Sequence, residues 1–200
     1  MSFSSQEDAA SRAEAFLRTG DTASAEVIYR QILEATPAGE RLAPGLAVGS
    51  CLARRRQWPA ARLHLSALVE QFPDSGVALA YLGAVKVEES DFAEGRDDLD
   101  RAIELEPDAG IVFIKRGELF QRLGLLRQAE SDYQQALKIS LPDQATRDYC
   151  RHVLTGVRTE LKTVIERKAP PLPLLGRGIF RRKRGEKKEQ LLPVSVGRSN

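Results

Sequence analysis

The side chains able to do chemistry are few and scattered. Cys51 and Cys150 are the only thiols, and His64 and His152 the only imidazoles. A reactive thiolate needs a neighbouring base or cation, and a zinc site needs closely spaced Cys and His ligands. The two cysteines lie far apart without a C-x-x-C partner, and no Cys–His spacing is typical of a metal site. The chain has no G-x-S-x-G nucleophile turn, no Gly-rich phosphate loop after a strand and no H-E-x-x-H pair. Asp97, Asp98 and Asp100 could attract a cation, but carboxylates crowded on one helical turn read as a solvated face. The lone Trp58, before Pro59, reads as a packing residue in a turn. These residues predict no enzyme, no metal and no cofactor.

The elements that must position any other function are helical. In 200 residues, 42% are hydrophobic and only 6% aromatic, which suits helix-on-helix packing through Ala and Leu rather than a β-sandwich. The polar start, Met1 to Ala10, lacks a basic and apolar signal, and no run approaches the roughly 18 apolar residues of a membrane span. A cytoplasmic protein with reduced thiols is expected. The net charge of +2 hides an asymmetry. Residues 167–200 carry ten Lys or Arg against two Glu, a net +8, while residues 1–166 carry 20 basic and 26 acidic side chains, a net −6.

A repeat organises the acidic part. Pro37, Pro73 and Pro107 each close an amphipathic stretch, at spacings of 36 and 34 residues. Small residues hold one register: Ala13 and Ala25, Gly49 and Ala61, Gly83 and Gly95, Gly117 and Ala129, each pair separated by 12. Four positions after the second small residue stands a large one: Tyr29, Leu65, Leu99 or Tyr133. Helical glycines cost about 1 kcal/mol relative to Ala, so close helix approach has to offset them. Asp21, Asp74 and Asp91 are placed to cap helix starts, and the prolines end the second helix of each unit.

This pattern resembles the tetratricopeptide repeat, a 34-residue pair of antiparallel helices. On that register the units run 6–39, 42–75, 76–109 and 110–143, with Glu40 and Arg41 inserted. Leu79, Leu82, Gly83, Ala102 and Pro107 make the third unit the closest match. Arg12 and Ala13 depart from the usual Leu-Gly pair, Gly45 from a usual aromatic, and Leu141 from the closing proline. The resemblance implies an all-α, right-handed superhelical solenoid of four hairpins. Residues 144–168 read as a closing helix with the apolar stripe Tyr149, Val153, Val157, Leu161 and Ile165. The solenoid is therefore assigned to residues 1–168 and a flexible, Pro-rich and basic tail to 169–200.

The resemblance also implies a concave groove lined by the first helix of each unit, where such proteins bind peptides. Its expected lining starts with Glu7, Ala10, Glu14 and Leu17. It continues with Ala43, Leu46, Ser50 and Arg54, then Val77, Ala80, Ala84 and Val87, and ends with Ile111, Ile114, Glu118 and Arg122. The middle of that groove is small and apolar, suited to a helix or extended hydrophobic peptide. Family members that grip an acidic C-terminus use Lys, Asn and Arg on these faces. Here only Lys115 keeps a basic residue at a matching place, so no carboxylate clamp is expected.

The tail carries Arg177, Arg181, Arg182, Lys183, Arg184, Lys187 and Lys188. These cations could meet an anionic membrane surface, helped by Ile179 and Phe180, and place the protein at its periphery. They could equally bind nucleic acid through phosphates, keep the chain soluble, or bring Leu172 to Phe180 into the groove of this or a neighbouring chain. The expected function is a non-enzymatic adaptor or chaperone-like scaffold that binds a protein or peptide. The alternative is a nucleic-acid or membrane-surface binder acting through 177–188. An apolar groove and an end helix also leave homo-oligomers open.

Overall fold

The computed structural model describes residues 3–139 and 141–168. Among them there are nine α-helices and no strand. The first two hairpins are α1 (Phe3–Thr19) with α2 (Thr22–Ala35), and α3 (Leu42–Arg54) with α4 (Trp58–Gln71). The next two are α5 (Gly76–Glu88) with α6 (Phe92–Leu105), and α7 (Gly110–Arg122) with α8 (Leu126–Lys138). A last helix, α9 (Gln144–Lys168), closes the stack. Each hairpin packs on itself, and each second helix packs on the first helix of the next unit, so α8 lies on α9. The first helices α3, α5 and α7 also pack side by side. The result is a solenoid whose inner wall is a row of first helices.

Local chemistry explains where the helices stop. Pro37, Pro73 and Pro107 each stand two residues beyond a helix end, at Ala35, Gln71 and Leu105, where a missing N–H blocks continuation. The inserted Glu40 sits in a short 3-10 turn, Ala38–Glu40, and the Arg41 side chain donates to the Thr36 carbonyl at 2.9 Å. Inside every hairpin one residue turns left-handed: Gly20, Arg56, Ser90 and Gly124, with φ of 85°, 57°, 71° and 70°. Asp21 caps α2 by accepting from the Ser24 N–H at 3.1 Å. The capping role expected of Asp74 belongs instead to Ser75, which accepts from the Ala78 N–H. Asp91 begins α6 without a side-chain cap and faces Arg62.

The small-residue register is a packing device. A methyl group at Gly83 would lie 2.9 Å from the Gly95 carbonyl oxygen, and one at Gly95 would lie 2.8 Å from that of Gly83. α5 and α6 therefore meet backbone to backbone. At Gly49 and Gly117 the space is taken by the large residue of the partner helix, Leu65 and Tyr133 respectively. Leu68 occupies the room beside Gly45, where the repeat usually has an aromatic. Leu65, Leu99 and Tyr133 are fully buried, and side chains of this size contribute about 1.5–3 kcal/mol each on burial.

Ion pairs tie neighbouring helices together. Glu26 of α2 accepts from Arg30 and from Arg55 at the end of α3. Arg116 of α7 makes a two-pronged contact with Asp132 of α8 and a further one with Asp100 of α6, all at 2.8 Å. Asp98 meets Lys86 at 2.7 Å, so the solvated-face reading of the acidic cluster holds for Asp97 only, which is exposed.

α9 spans the expected residues, and the middle of the expected stripe, Val153, Val157 and Leu161, packs on the core while its two ends do not. Cys150, Leu154 and Val157 are buried, with Leu161 and Val164 half-buried beside them, whereas Tyr149 is 46% and Ile165 50% exposed. A strict four-residue step drifts about 40° per step around a helix of 3.6 residues per turn. Its ends therefore leave the core-facing side.

Candidate partner-binding cleft

The side-by-side packing of α3, α5 and α7, closed off by the start of α9, leaves a cleft of about 570 Å³. Ser50 and Arg54 of α3 form one wall with Trp58, the first residue of α4. The floor is made by Ala84 and Val87 of α5 and by Ile111 and Ile114 of α7. Asp143, Thr146 and Tyr149 form the opposite wall.

The expected groove is only partly this cleft. Ser50, Arg54, Ala84, Val87, Ile111, Ile114, Glu118 and Arg122 line it. Ala80 is instead fully buried, with Val77 packed on the same cluster of Leu79, Val112 and Leu119. Leu46 packs beside Val48 and Leu65, and Leu17 beside Ala13 and Ile28. Glu7, Ala10, Glu14 and Ala43 lie outside the cleft lining. The face that opens inward follows steps of four, three and four: Ile111, Lys115, Glu118, Arg122 on α7, and Tyr81, Ala84, Glu88 on α5. On α5 the expected step of three leads to Ala80, about 100° around the helix from Tyr81 and buried with Leu79 and Val112.

That rotation changes the chemistry of the cleft. Tyr81, Lys115, Glu88 and Tyr149 enter it, so its centre is amphipathic rather than small and apolar. The Tyr149 hydroxyl donates to Glu118 Oε1 at 2.9 Å, and Lys115 Nζ donates to Glu118 Oε2 at 3.1 Å. The same ammonium lies 5.4 Å from the Tyr81 ring centre, a cation–π distance. Burial alone would lower the Lys115 pKa, but Glu118 and Tyr81 outweigh it and hold the ammonium above its ordinary value. Burial, and then Glu118, push the Tyr149 hydroxyl upward. Arg122 pairs with Glu88 and lies 5.9 Å over Phe92. With its charge met by Glu118, Lys115 offers no free cation to a carboxylate clamp.

The remaining chemical groups are structural or isolated. His64 Nε2–H donates to the Gly45 carbonyl at 2.8 Å, while His152 is exposed on α9. Cys51 and Cys150 are free and buried. Burial drives the Cys150 thiol up to about 11 and raises that of Cys51 as well. Trp58 does pack on the Val48–Leu65 cluster, yet it also borders the cleft. Among the described residues no group of three or more His, Cys, Asp or Glu could hold a metal, and no helix is long and apolar enough to cross a membrane. Arg177, Arg181, Arg182, Lys183, Arg184, Lys187 and Lys188 lie outside the described residues.

Hairpins of this length, packed through a small-residue register around an inner row of first helices, define the tetratricopeptide-repeat fold, and solved structures share it. The TPR domain of Sgt2 from Aspergillus fumigatus superposes with a TM-score of 0.54 at 13% identity, covering 73% of this chain and 93% of that one. A tetratricopeptide repeat protein from Parabacteroides merdae gives 0.50 at 17% identity, over 82% of this chain and 68% of that one. The first TPR of Spaghetti, bound to an HSP90 peptide, gives 0.49 at 17% identity, over 57% and 89%. No sequence-family model and no curated protein matches the chain.

Proposed function

We propose that this chain is a non-enzymatic scaffold that binds a peptide or partner protein in the cleft between α3, α5, α7 and α9. The observation that carries this reading is an open cleft with an apolar floor and its buried polar groups already paired. Ala84 and Ile111 line it together with the aromatic residues Trp58, Tyr81 and Tyr149. Such a surface can seat an apolar anchor side chain. Because Glu118 accepts from both Lys115 and Tyr149, covering this carboxylate leaves neither of its oxygens unpaired to penalise binding. The small side chains of Ser50 and Ala84 leave the room, and exposed Arg54 offers donors to a ligand's backbone carbonyls. The fold itself hosts many roles, and the cleft is the feature that supports this one.

Selection from a random peptide library on the full chain tests this. Selected peptides should share an apolar or aromatic anchor. Ala84→Trp, which fills the cleft, should abolish their binding, whereas Leu63→Trp on the exposed side of α4 should not. Binding indifferent to Ala84→Trp would refute the cleft. The competing reading, contact with nucleic acid or anionic lipid through Arg177 to Lys188, is motivated by the tail's net +8. It requires affinity to fall steeply with salt, by about a thousandfold between 50 and 200 mM for six phosphate contacts. Affinity of an apolar anchor should change little over that range.

A further inference from the structure

We infer that the cleft takes a peptide segment bearing an acidic side chain two or three residues from its apolar anchor, and that Arg54 receives that carboxylate. The inference rests on the cleft being a peptide site, and it names the chemistry of the peptide.

The charges lining the cleft are matched, except one. They are Arg54, Lys115 and Arg122 against Glu88, Glu118 and Asp143. Lys115 meets Glu118 at 3.1 Å, and Arg122 pairs with Glu88. On the α9 wall, Asp143 accepts from the Thr146 N–H at 2.6 Å, so the positive start of that helix meets its charge. On the α3 wall, Arg54 is exposed and pairs with no carboxylate among the described residues. The negative end of α3 favours a cation, but Arg55 and Arg56 follow directly and supply one without lining the cleft. Arg55 already pairs with Glu26. Of these three arginines, Arg54 alone faces the site.

Lys115 is affected by this cation. Burial lowers its pKa and Arg54 lowers it further, while Glu118 and Tyr81 more than restore it. Two cations therefore act on a region where Glu118 is already matched by Lys115. An arriving carboxylate would form an ion pair with Arg54 and relieve its repulsion of Lys115.

Geometry selects the kind of acid. A guanidinium presents five N–H donors in a fixed fork; two match a carboxylate, and the others remain for backbone carbonyls. Ser50, one turn earlier on the same wall, adds a hydroxyl. A single fork on a wall can take a side chain and let the peptide run on past it. The cleft has no second unmatched cation, among the described residues, to hold a chain terminus. α3 and α5 pack side by side, and packed helices lie about 8–10 Å apart. That distance is two or three residues of extended peptide at roughly 3.3 Å each. An anchor on Ala84 of α5 thus brings the acid to Arg54 of α3.

Random-library selection on the full chain and, in parallel, on Arg54→Glu tests this. Peptides selected on the unaltered protein should carry Asp or Glu two or three residues from the anchor. Those selected on Arg54→Glu should carry Lys or Arg there. A peptide from the first set should bind Arg54→Glu about tenfold more weakly, and replacing its acid by Lys should restore the affinity. Arg56→Glu changes the net charge equally outside the cleft and should cost less than about twofold at physiological salt. Both arginines are exposed, so both variants should melt with the unaltered protein. Equal losses in the two variants, or no loss in either, overturn the inference. Selected peptides that share the anchor but no acid also overturn it; if Ala84→Trp still abolishes their binding, the cleft remains a peptide site. Affinity lost on amidating the peptide's C-terminus, but not on replacing its side-chain acid by Gln, assigns Arg54 to a chain end and refutes the side-chain form. Binding indifferent to Ala84→Trp refutes both the cleft and this inference.

Discussion

Ser90 and Gly83 act through the backbone, and both give signed predictions. Ser90 takes the left-handed turn position that Gly20 and Gly124 occupy in other hairpins. That conformation costs a non-glycine residue about 1–2 kcal/mol, more than the 0.5–1 kcal/mol of extra entropy glycine loses. Ser90→Gly should therefore raise the stability measured by urea denaturation by about 0.5–1 kcal/mol. A loss would show that the serine side chain has a role at this turn. Gly83→Ala should destabilise by about 1–2 kcal/mol, since the forced separation of α5 and α6 outweighs the better helix propensity. Glu26 supplies a pH signature. Burial would raise its pKa, but hydrogen bonds from Arg30 and Arg55 hold it below its ordinary 4.5. A carboxylate with a depressed folded-state pKa stabilises the fold above its unfolded value and loses that contribution as pH falls through the folded one. Glu26→Gln should cost about 1–2 kcal/mol at pH 7. In denaturation curves the gap to the unaltered protein should hold down to about pH 5 and close below pH 4.5; a gap constant to pH 3 would contradict the assignment.

Helices are where sequence and structure agree best, and side-chain directions where they agree least. The prolines and small residues located every hairpin because these signals are local: a missing N–H ends a helix, and a glycine permits contact whatever lies across from it. The length of α9 was equally legible. Its core-facing side was legible at Val153, Val157 and Leu161 but not at the ends, because a four-residue step departs from the 3.6-residue turn. The same arithmetic affected the groove: Ser50, Arg54, Ala84, Val87, Ile111, Ile114, Glu118 and Arg122 line the cleft, but Ala80 was taken for Tyr81, and Lys115 was weighed only as a clamp residue. Steps of four, three and four along α7 would have found Lys115 beside Glu118. No local signal marks Arg116 as the link among Asp100, Asp132 and its own helix, since these contacts join three helices. At this scale Gly156→Ala in α9 should raise the melting temperature, the reverse of Gly83→Ala, because only Gly83 has a backbone carbonyl where the methyl would go. A fall for both would show that α9 is packed differently from this account.

For the whole molecule, four hairpins make a row of first helices and α9 ends the row while forming the last wall of the cleft. The cleft wall and the closure of the stack therefore share one helix, which the hydrogen bond from Tyr149 to Glu118 ties to α7. Charge is divided between an acidic solenoid and a basic tail, so salt should alter tail contacts strongly and apolar anchoring weakly. The central claim is that partners enter this cleft rather than an outer surface, and photo-crosslinking tests it most directly. Benzoylphenylalanine in place of Ala84, in the cleft, is compared with the same probe in place of Leu63, which is 76% exposed on α4. Both proteins are irradiated with a library-selected peptide under the same conditions. A covalent adduct is expected at position 84 and none at 63; an adduct at 63 alone, or equal yields at both, would contradict binding in the cleft.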